Sequence, residues 1–162
     1  MANDVYLKID GITGESSDSK HKDWIEILSF SHGMSQPASI ASGTSGRSSE
    51  RVNMSDFSVV KEMDKASPLL AQACCDGRHL KEVKIELCEA SGDKHTYMVY
   101  TMENAIISSF QPGGAKEGGK PLENLTFNFG KIKWEYTPIG HDGKPGSKVG
   151  PMGWNLEENK KI

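Results

Sequence analysis

Apolar and polar residues alternate along most of this chain, which is the period of a half-buried β-strand. The pattern is clearest at Val5, Leu7 and Ile9 and again around Val83–Leu87. Similar runs occupy residues 24–34, 51–63, 95–110 and 122–138. The turn SGDK at 91–94 predicts that the runs at 79–90 and 95–110 form an antiparallel hairpin. Because short turn segments connect several of these runs, the pattern predicts an antiparallel β protein, either a sandwich or a barrel.

One segment departs from this period and predicts a short α-helix. Ser67 precedes Pro68 in the run SPLLAQACCDG, and Gly77 closes that run. Serine is a common N-cap, proline is common at the first helical position, and glycine often ends a helix. We therefore expect a helix that begins with Ser67 as its N-cap and stops at Gly77.

Three segments lack the strand pattern. Residues 35–50, SQPASIASGTSGRSSE, hold almost no apolar side chains, and residues 111–121 are rich in glycine and lysine. The first of these is much longer than the ~4–6 residues of an ordinary connection, so we expect a long exposed loop, which we call the arm. The tail at 139–162 is rich in Gly and Pro, and we expect it to be irregular, with Trp154 as its anchor.

The length fits a single domain over residues 1–162, and the composition is typical of a soluble protein. The chain is 36% hydrophobic and 25% charged, with a formal net charge of −3 and interleaved charges. This composition favours neither nucleic acid nor an anionic membrane as a partner. No apolar run approaches the ~20 residues that span a bilayer, and the N-terminus does not resemble a signal peptide. Three cysteines cannot form a disulfide framework, which indicates a reducing cytoplasm.

Cys74, Cys75 and His79 lie close enough in the sequence to raise the question of an active site. Both cysteines fall at the C-terminal end of the predicted helix, where the helix dipole disfavours a thiolate. A structural role is therefore the better interpretation. A hydrolase that pairs His79 with Cys75 remains the competing hypothesis.

The other candidate chemistry is weak. The histidines, at positions 21, 32, 79, 95 and 141, show no spacing typical of a zinc site. Residues 114–121, GAKEGGKP, match a phosphate-binding loop except that Pro121 replaces the required Ser or Thr and a strand follows. We expect no metal, no cofactor and no enzymatic activity.

Four segments in order resemble the haemolysin co-regulated protein (Hcp) family of bacterial type VI secretion. They are ILSFSHGMSQ at 27–36, the helix region at 64–79, ENLTFNFGKIKWEY at 123–136 and GWN at 153–155. The resemblance implies an antiparallel two-sheet β-barrel with one short α-helix, a fold similar to phage tail tube proteins. It also implies that six copies close into a ring and that rings stack into a hollow tube.

The resemblance further implies partners and a cellular route. The partners would be other copies of this chain, the sheath and spike proteins of the apparatus, and effectors carried in the lumen. The chain would start in the bacterial cytoplasm and leave through the apparatus without a signal peptide. The competing function is a closed β-barrel that binds a small molecule in its interior.

Two sets of residues are candidates for these contacts. Leu28 and Phe30 are predicted to face the core, which turns Ser29 and Ser31 toward either the lumen or the outer surface. In the arm, we expect Gly43, Gly46 and Arg47 to contact a neighbouring ring, since glycine permits close backbone approach and arginine offers several donors.

Overall fold

The computed structural model of the chain describes residues 2–39, 48–49, 51–90 and 92–162. The described part is mainly β, with antiparallel strands and one short helix. Its elements are β1 Asn3–Ile9, β2 Ile25–Ile27, β3 Ser29–Ser31, β4 Met34–Ser35, β5 Ala38–Ser39, β6 Ser48–Ser49, β7 Asn53–Met54, β8 Phe57–Glu62, α1 Ser67–Asp76, β9 Leu80–Glu89, β10 Thr96–Gly113, β11 Leu122–Tyr136, β12 Val149–Asn155 and β13 Lys160–Lys161.

Nine of these strands form one sheet. Its main order is β13-β12-β11-β10-β9-β1-β2, and β8 adds to β11 and to β3. The predicted hairpin is present, since β9 and β10 pair from Leu80 to Cys88 on one side. The long strands β10 and β11 form the longest strand pair of the sheet, and their residues pair from Met98↔Tyr136 to Gly113↔Leu122.

The core lies on one face of these strands and is built from the alternating apolar positions. Fully buried members come from almost every long strand: Leu7, Ile25, Phe57, Val83, Ile85, Met102, Leu125, Phe127 and Ile132. The helix adds Leu70 and Ala73 to the same cluster. Burying this apolar area is the main favourable contribution to folding, because hydrophobic stabilisation scales with the area removed from water.

The helix begins one residue earlier than the sequence predicted, and the role expected for Ser67 is wrong. Ala66 occupies the N-cap position without a side-chain cap, while Ser67 and Pro68 fall in the first turn. Gly77 ends the helix in the left-handed conformation, with φ of 63°. Its amide and that of Arg78 reach the carbonyls of Cys74 and Ala73, which is the Schellman arrangement. No helix of the described residues is long and apolar enough to cross a membrane.

The Ser67 hydroxyl belongs instead to a buried polar cluster under the helix start. It accepts from the amide of Asp64 at 3.0 Å and donates to Glu123 Oε1 at 2.7 Å. Lys61 Nζ lies 2.5 Å from the same Glu123 oxygen and 2.9 Å from Asp64 Oδ1. Lys61 and Glu123 are almost fully buried. These contacts tie β8 and β11 to the start of α1.

The sequence had suggested an irregular tail. In the structure, residues 149–155 instead form strand β12, which pairs with β11. Two glycines of β12 allow the two strands to approach each other closely, and they do not interrupt the strand. A Cβ at Gly153 would lie 2.6 Å from the carbonyl oxygen of Ile132, and Gly150 adopts φ of 95°. A larger residue would meet backbone atoms at both positions, so the glycines allow β12 to pair closely with β11.

Candidate assembly surfaces

Ser29 and Ser31 are both exposed and lie on the face of β3 opposite Phe30, whose ring packs toward the core. Leu28, however, does not face the core as the alternation suggested, since its side chain is 56% exposed. The chain changes partners at this residue: β2 pairs with β1, whereas β3 pairs with β8. That change shifts the alternation, so Ile27 and Phe30 both point inward.

A row of hydroxyl side chains continues from Ser31 across four adjacent strands. Ser31 pairs with Ser58, Ser58 with Thr126, and Thr126 with Ser109. The Ser109 and Thr126 hydroxyls are 2.6 Å apart. Because directly paired residues of neighbouring strands point to the same face, the four side chains form one small, polar strip on the face opposite the core.

The strip is widened by a second row and held by hydrogen bonds. Ser29 pairs with Val60, Val60 with Asn124, and Asn124 with Gln111. Next to these rows, the Asp56 carboxylate accepts hydrogen bonds from Ser108 at 2.7 Å and from Asn128 at 2.9 Å. We call the two rows the hydroxyl face. Sequence analysis identified only its two β3 members, because Ser58 and Thr126 are brought beside Ser31 by pairing between distant segments.

The described parts of the arm form a narrow two-stranded extension of β3 and β8. β4 pairs with β7 at Met34↔Met54, and β5 pairs with β6 at Ala38↔Ser49. Residues 35–50 are therefore not wholly a loop, since their two limbs run antiparallel away from the body. Gly43, Gly46 and Arg47 lie outside the described residues.

A cluster of exposed apolar side chains lies along β12, and we call it the edge patch. Val149 is 53% exposed and Met152 is 62% exposed, and the exposed Tyr136 pairs with Val149. Among the described residues, β13 pairs with β12 only at Trp154 and Asn155. The first part of β12 is thus an uncovered sheet edge with apolar side chains, a feature that is normally blunted in a protein that stays monomeric.

A second exposed apolar pair consists of Leu28 and Met63, and we call it the Leu28 patch. Leu28 and Met63 line a cavity of about 360 Å³ that also contains Glu26 and Glu62. Its lining is mainly acidic, with four carboxylates against Lys120, whereas Lys148 and Glu135, next to Val149 and Tyr136 of the edge patch, pair with each other. The two patches therefore differ in shape and in charge.

The residues that suggested a catalytic site make separate contacts in the structure. His79 Nδ1 is 3.1 Å from Asn104 Oδ1, and the described hydrogen bonds include none between His79 and Cys75. Cys75 is exposed and Cys74 is half-buried against the core. Within the described residues, no three His, Cys, Asp or Glu side chains are arranged to hold a metal ion.

A buried Cys, His and carboxylate cluster escaped the sequence analysis because its members are distant in the chain. His21 lies 2.7 Å from Asp18, 3.2 Å from Glu86 and 3.7 Å from the Cys88 sulfur, and its ring stacks on Tyr6. Burial raises the pKa of the Cys88 thiol, and the His21 contact lowers the pKa of Asp18. A fully buried, protonated thiol is a poor nucleophile, so the cluster fastens the segment before β2 to β9.

The core side chains fill the space between the strands, whereas the larger cavities of the described residues open to solvent. The largest of these, about 720 Å³, lies beside Tyr97, Tyr136 and the β9–β10 turn. The core of the described residues is thus occupied by buried apolar side chains, whereas an interior ligand site needs an enclosed cavity.

Comparison with known proteins identifies relatives over the whole chain. A family model described as "Type VI secretion system effector, Hcp" matches residues 6–136. Protein hcp1 of Pseudomonas aeruginosa is 34% identical over 161 residues, covering 98% of both chains. The major exported protein of the same organism is 29% identical and covers 88% of this chain and 94% of its own.

Solved structures agree. A type six secretion system protein superposes with a TM-score of 0.95 at 40% identity, over 99% of this chain and all of the other. Hcp1 from Salmonella typhimurium superposes with a TM-score of 0.80 at 30% identity, over the full length of both chains. These similarities hold for both the sequence and the three-dimensional fold.

Proposed function

Because this chain belongs to the Hcp family of type VI secretion proteins, we propose that it is a tube subunit, six copies of which close into a ring. Rings stack into a hollow tube, and the tube carries or shelters effectors. The observation that carries this proposal is the first row of the hydroxyl face, in which Ser31, Ser58, Thr126 and Ser109 place small hydroxyl side chains across four strands. A channel wall that many different proteins must pass needs such a surface, without large apolar side chains to bind them.

Ring closure is supported by the two exposed apolar patches. A cyclic ring of identical subunits requires two different, complementary surfaces on each subunit. The edge patch and the Leu28 patch are two such surfaces, and burying them against each other would remove apolar area from water. We therefore place the subunit interface at these patches.

We also propose that the chain is a single domain whose sheet closes into a barrel. Support comes from β2 and β3, which are separated only by Leu28 and pair with β1 and β8 respectively. The Leu28 amide donates to the Val60 carbonyl at 2.8 Å. These contacts join the two ends of the row of strands β2-β1-β9-β10-β11-β8-β3, which would close the sheet into a barrel.

The proposed role is structural rather than enzymatic. The partners are other copies of this chain, the sheath and spike proteins of the apparatus, and effectors, and the route leads from the bacterial cytoplasm to the outside through that apparatus. A small-molecule binder is disfavoured by the filled core. For the arm, contact between its residues Gly43, Gly46 and Arg47 and a neighbouring ring remains part of the proposal.

The first test is the mass of the assembly. Light scattering on the purified chain is expected to give six times the 17.7 kDa subunit mass. Ring closure is favourable because it removes the apolar side chains of the two patches from water. Met152→Lys should shift the mass toward the monomer, since a charge at the edge patch must be desolvated on association. A monomeric wild-type protein would contradict the ring.

The second test concerns the hydroxyl face. Ser31→Gln is expected to lower the amount of a cognate effector that co-purifies with the ring, because a long side chain projects into the proposed lumen. Ser58→Gln should behave alike, since Ser58 pairs with Ser31. Ser147→Gln, at an exposed position away from this face, is the matched control. Equal effector recovery from all three variants with intact rings would place the hydroxyl face outside the lumen.

A further inference from the structure

His32 lies at the point where the arm leaves the body, between β3 and β4, with its ring inside a cage of aromatic side chains. The ring centroids of Phe57 and Phe129 lie 5.2 and 6.0 Å from it, and those of Tyr100 and Trp134 lie 6.4 and 6.5 Å away. These rings come from three strands, β8, β10 and β11. His32 therefore helps to join the root of the arm to the main sheet, together with Met54, which also packs against the core.

The cage suits a neutral imidazole and not an imidazolium. Both ring nitrogens of His32 are buried, and neither has a hydrogen-bond partner. The titratable group among the four rings is the Tyr100 hydroxyl, whose pKa is raised by burial, so it carries no charge in acid. Asp56, next to Phe57 in the chain, is engaged by Ser108 and Asn128. A proton on His32 thus meets no carboxylate among the four rings, and of the described residues only the Ser55 backbone is placed to accept it.

Burial also lowers the pKa of His32, an effect that the Ser55 backbone partly opposes. The charged ring is disfavoured inside the cage but not in water, because desolvation penalises the charged form. A route to water is close at hand. A cavity of about 450 Å³ opens between the arm strands and is lined by Gly33 and Ser55, among others. A protonated ring that turns out of the cage can reach it.

Movement of His32 would disturb the clamp that closes the arm's root. The Ser55 amide and the Ser55 hydroxyl both donate to the Gly33 carbonyl, each at 3.0 Å. Gly33 follows His32 directly, so rotation of the chain at His32 displaces the acceptor of both bonds. The pairing of Met34 with Met54 begins just beyond this clamp.

We propose that His32 is an acid-sensitive latch, which holds the arm's root against the sheet when neutral and releases it when protonated. The release is a property of the single chain. Its consequence, that stacked rings separate in acid, rests on the proposed function, because it requires the arm to contact a neighbouring ring.

Hydrogen exchange measured by mass spectrometry tests the latch. Peptides that cover residues 31–39 and 51–57 are compared at about pH 7.5 and about pH 5, after correction for the intrinsic pH dependence of exchange. Wild-type protection of these peptides should fall in acid, by about tenfold for each pH unit between the ordinary histidine pKa of the released ring and the lowered pKa of the caged ring. His32→Phe, which fills the cage without titrating, should keep its protection. His141→Phe, at an exposed position, should behave as wild type.

Two results would overturn the latch: no loss of protection in the wild type, or an equal loss in His32→Phe. If His32→Phe fails to fold, an NMR titration of the wild type decides instead. Arm amides that shift with the same midpoint as the His32 ring support the latch, and a different midpoint overturns it. A wild type that forms no rings or stacks at neutral pH would count against the proposed function and leave these arm measurements untouched.

Discussion

Replacing Glu123 with alanine is expected to lower the free energy of unfolding by about 3–5 kcal/mol, because it leaves a buried ammonium group without its main partner. Lys61 is fully buried, and its Nζ lies 2.5 Å from Glu123 Oε1. Asp64 remains within reach of Lys61 in the variant but is partly exposed and lies at the helix start. Urea unfolding followed by circular dichroism measures the change.

The matched control replaces both charges. Lys61→Met combined with Glu123→Met should recover most of the lost stability, since an apolar pair of similar volume avoids the desolvation cost of two buried ions. Ser67 keeps its bond to the Asp64 amide in this double variant. If Glu123→Ala unfolds at the wild-type urea concentration, the cluster is not buried in the way the contacts indicate.

Shortening the arm is expected to abolish ring stacking and secretion while leaving the body intact. The change replaces residues 36–50 with a short Gly-Ser link. Ser35 pairs with Asn53, so the ends of the cut lie on neighbouring strands and a few residues span them. A shorter loop costs no more closure entropy, and the core formed by the described residues includes none of the replaced ones. Ring mass and β content should therefore match the wild type.

Electron microscopy of assembled tubes and a secretion assay measure the outcome. A control of the same kind shortens the glycine-rich segment at 114–120, which joins the paired ends of β10 and β11, and should still stack and be secreted. Normal stacking by the arm variant would show that the arm is a passive tether. Failure to form rings would assign the arm to the subunit interface.

The alternation of apolar and polar residues was sufficient to predict the antiparallel strands and the β9–β10 hairpin, and proline and glycine at the ends of one segment predicted the short helix. These features depend on a residue and its near neighbours in the chain. The period of two places Val83, Ile85 and Leu87 on one face, and Gly77 tolerates the left-handed conformation that ends the helix. Local rules of this kind are legible in a single sequence.

Local rules fail where the chain changes partners. Leu28 is exposed because β2 pairs with β1 while β3 pairs with β8, and the tail forms β12 because β11 accepts it as a partner. Ser67 looked like an N-cap by its position, yet its hydroxyl binds Glu123 from a strand 56 residues away. No window around Ser67 contains that partner.

The same distinction holds for the candidate sites. Ser29 and Ser31 were identified from the parity of one strand, but the hydroxyl face exists only because registers between β3, β8, β11 and β10 align Ser31, Ser58 and Thr126. The cage around His32 likewise collects rings from three strands. The chain's local pattern establishes which way each side chain points along its own strand. Which side chains become neighbours depends on strand register, and register is set by long-range pairing and burial that a local pattern does not encode.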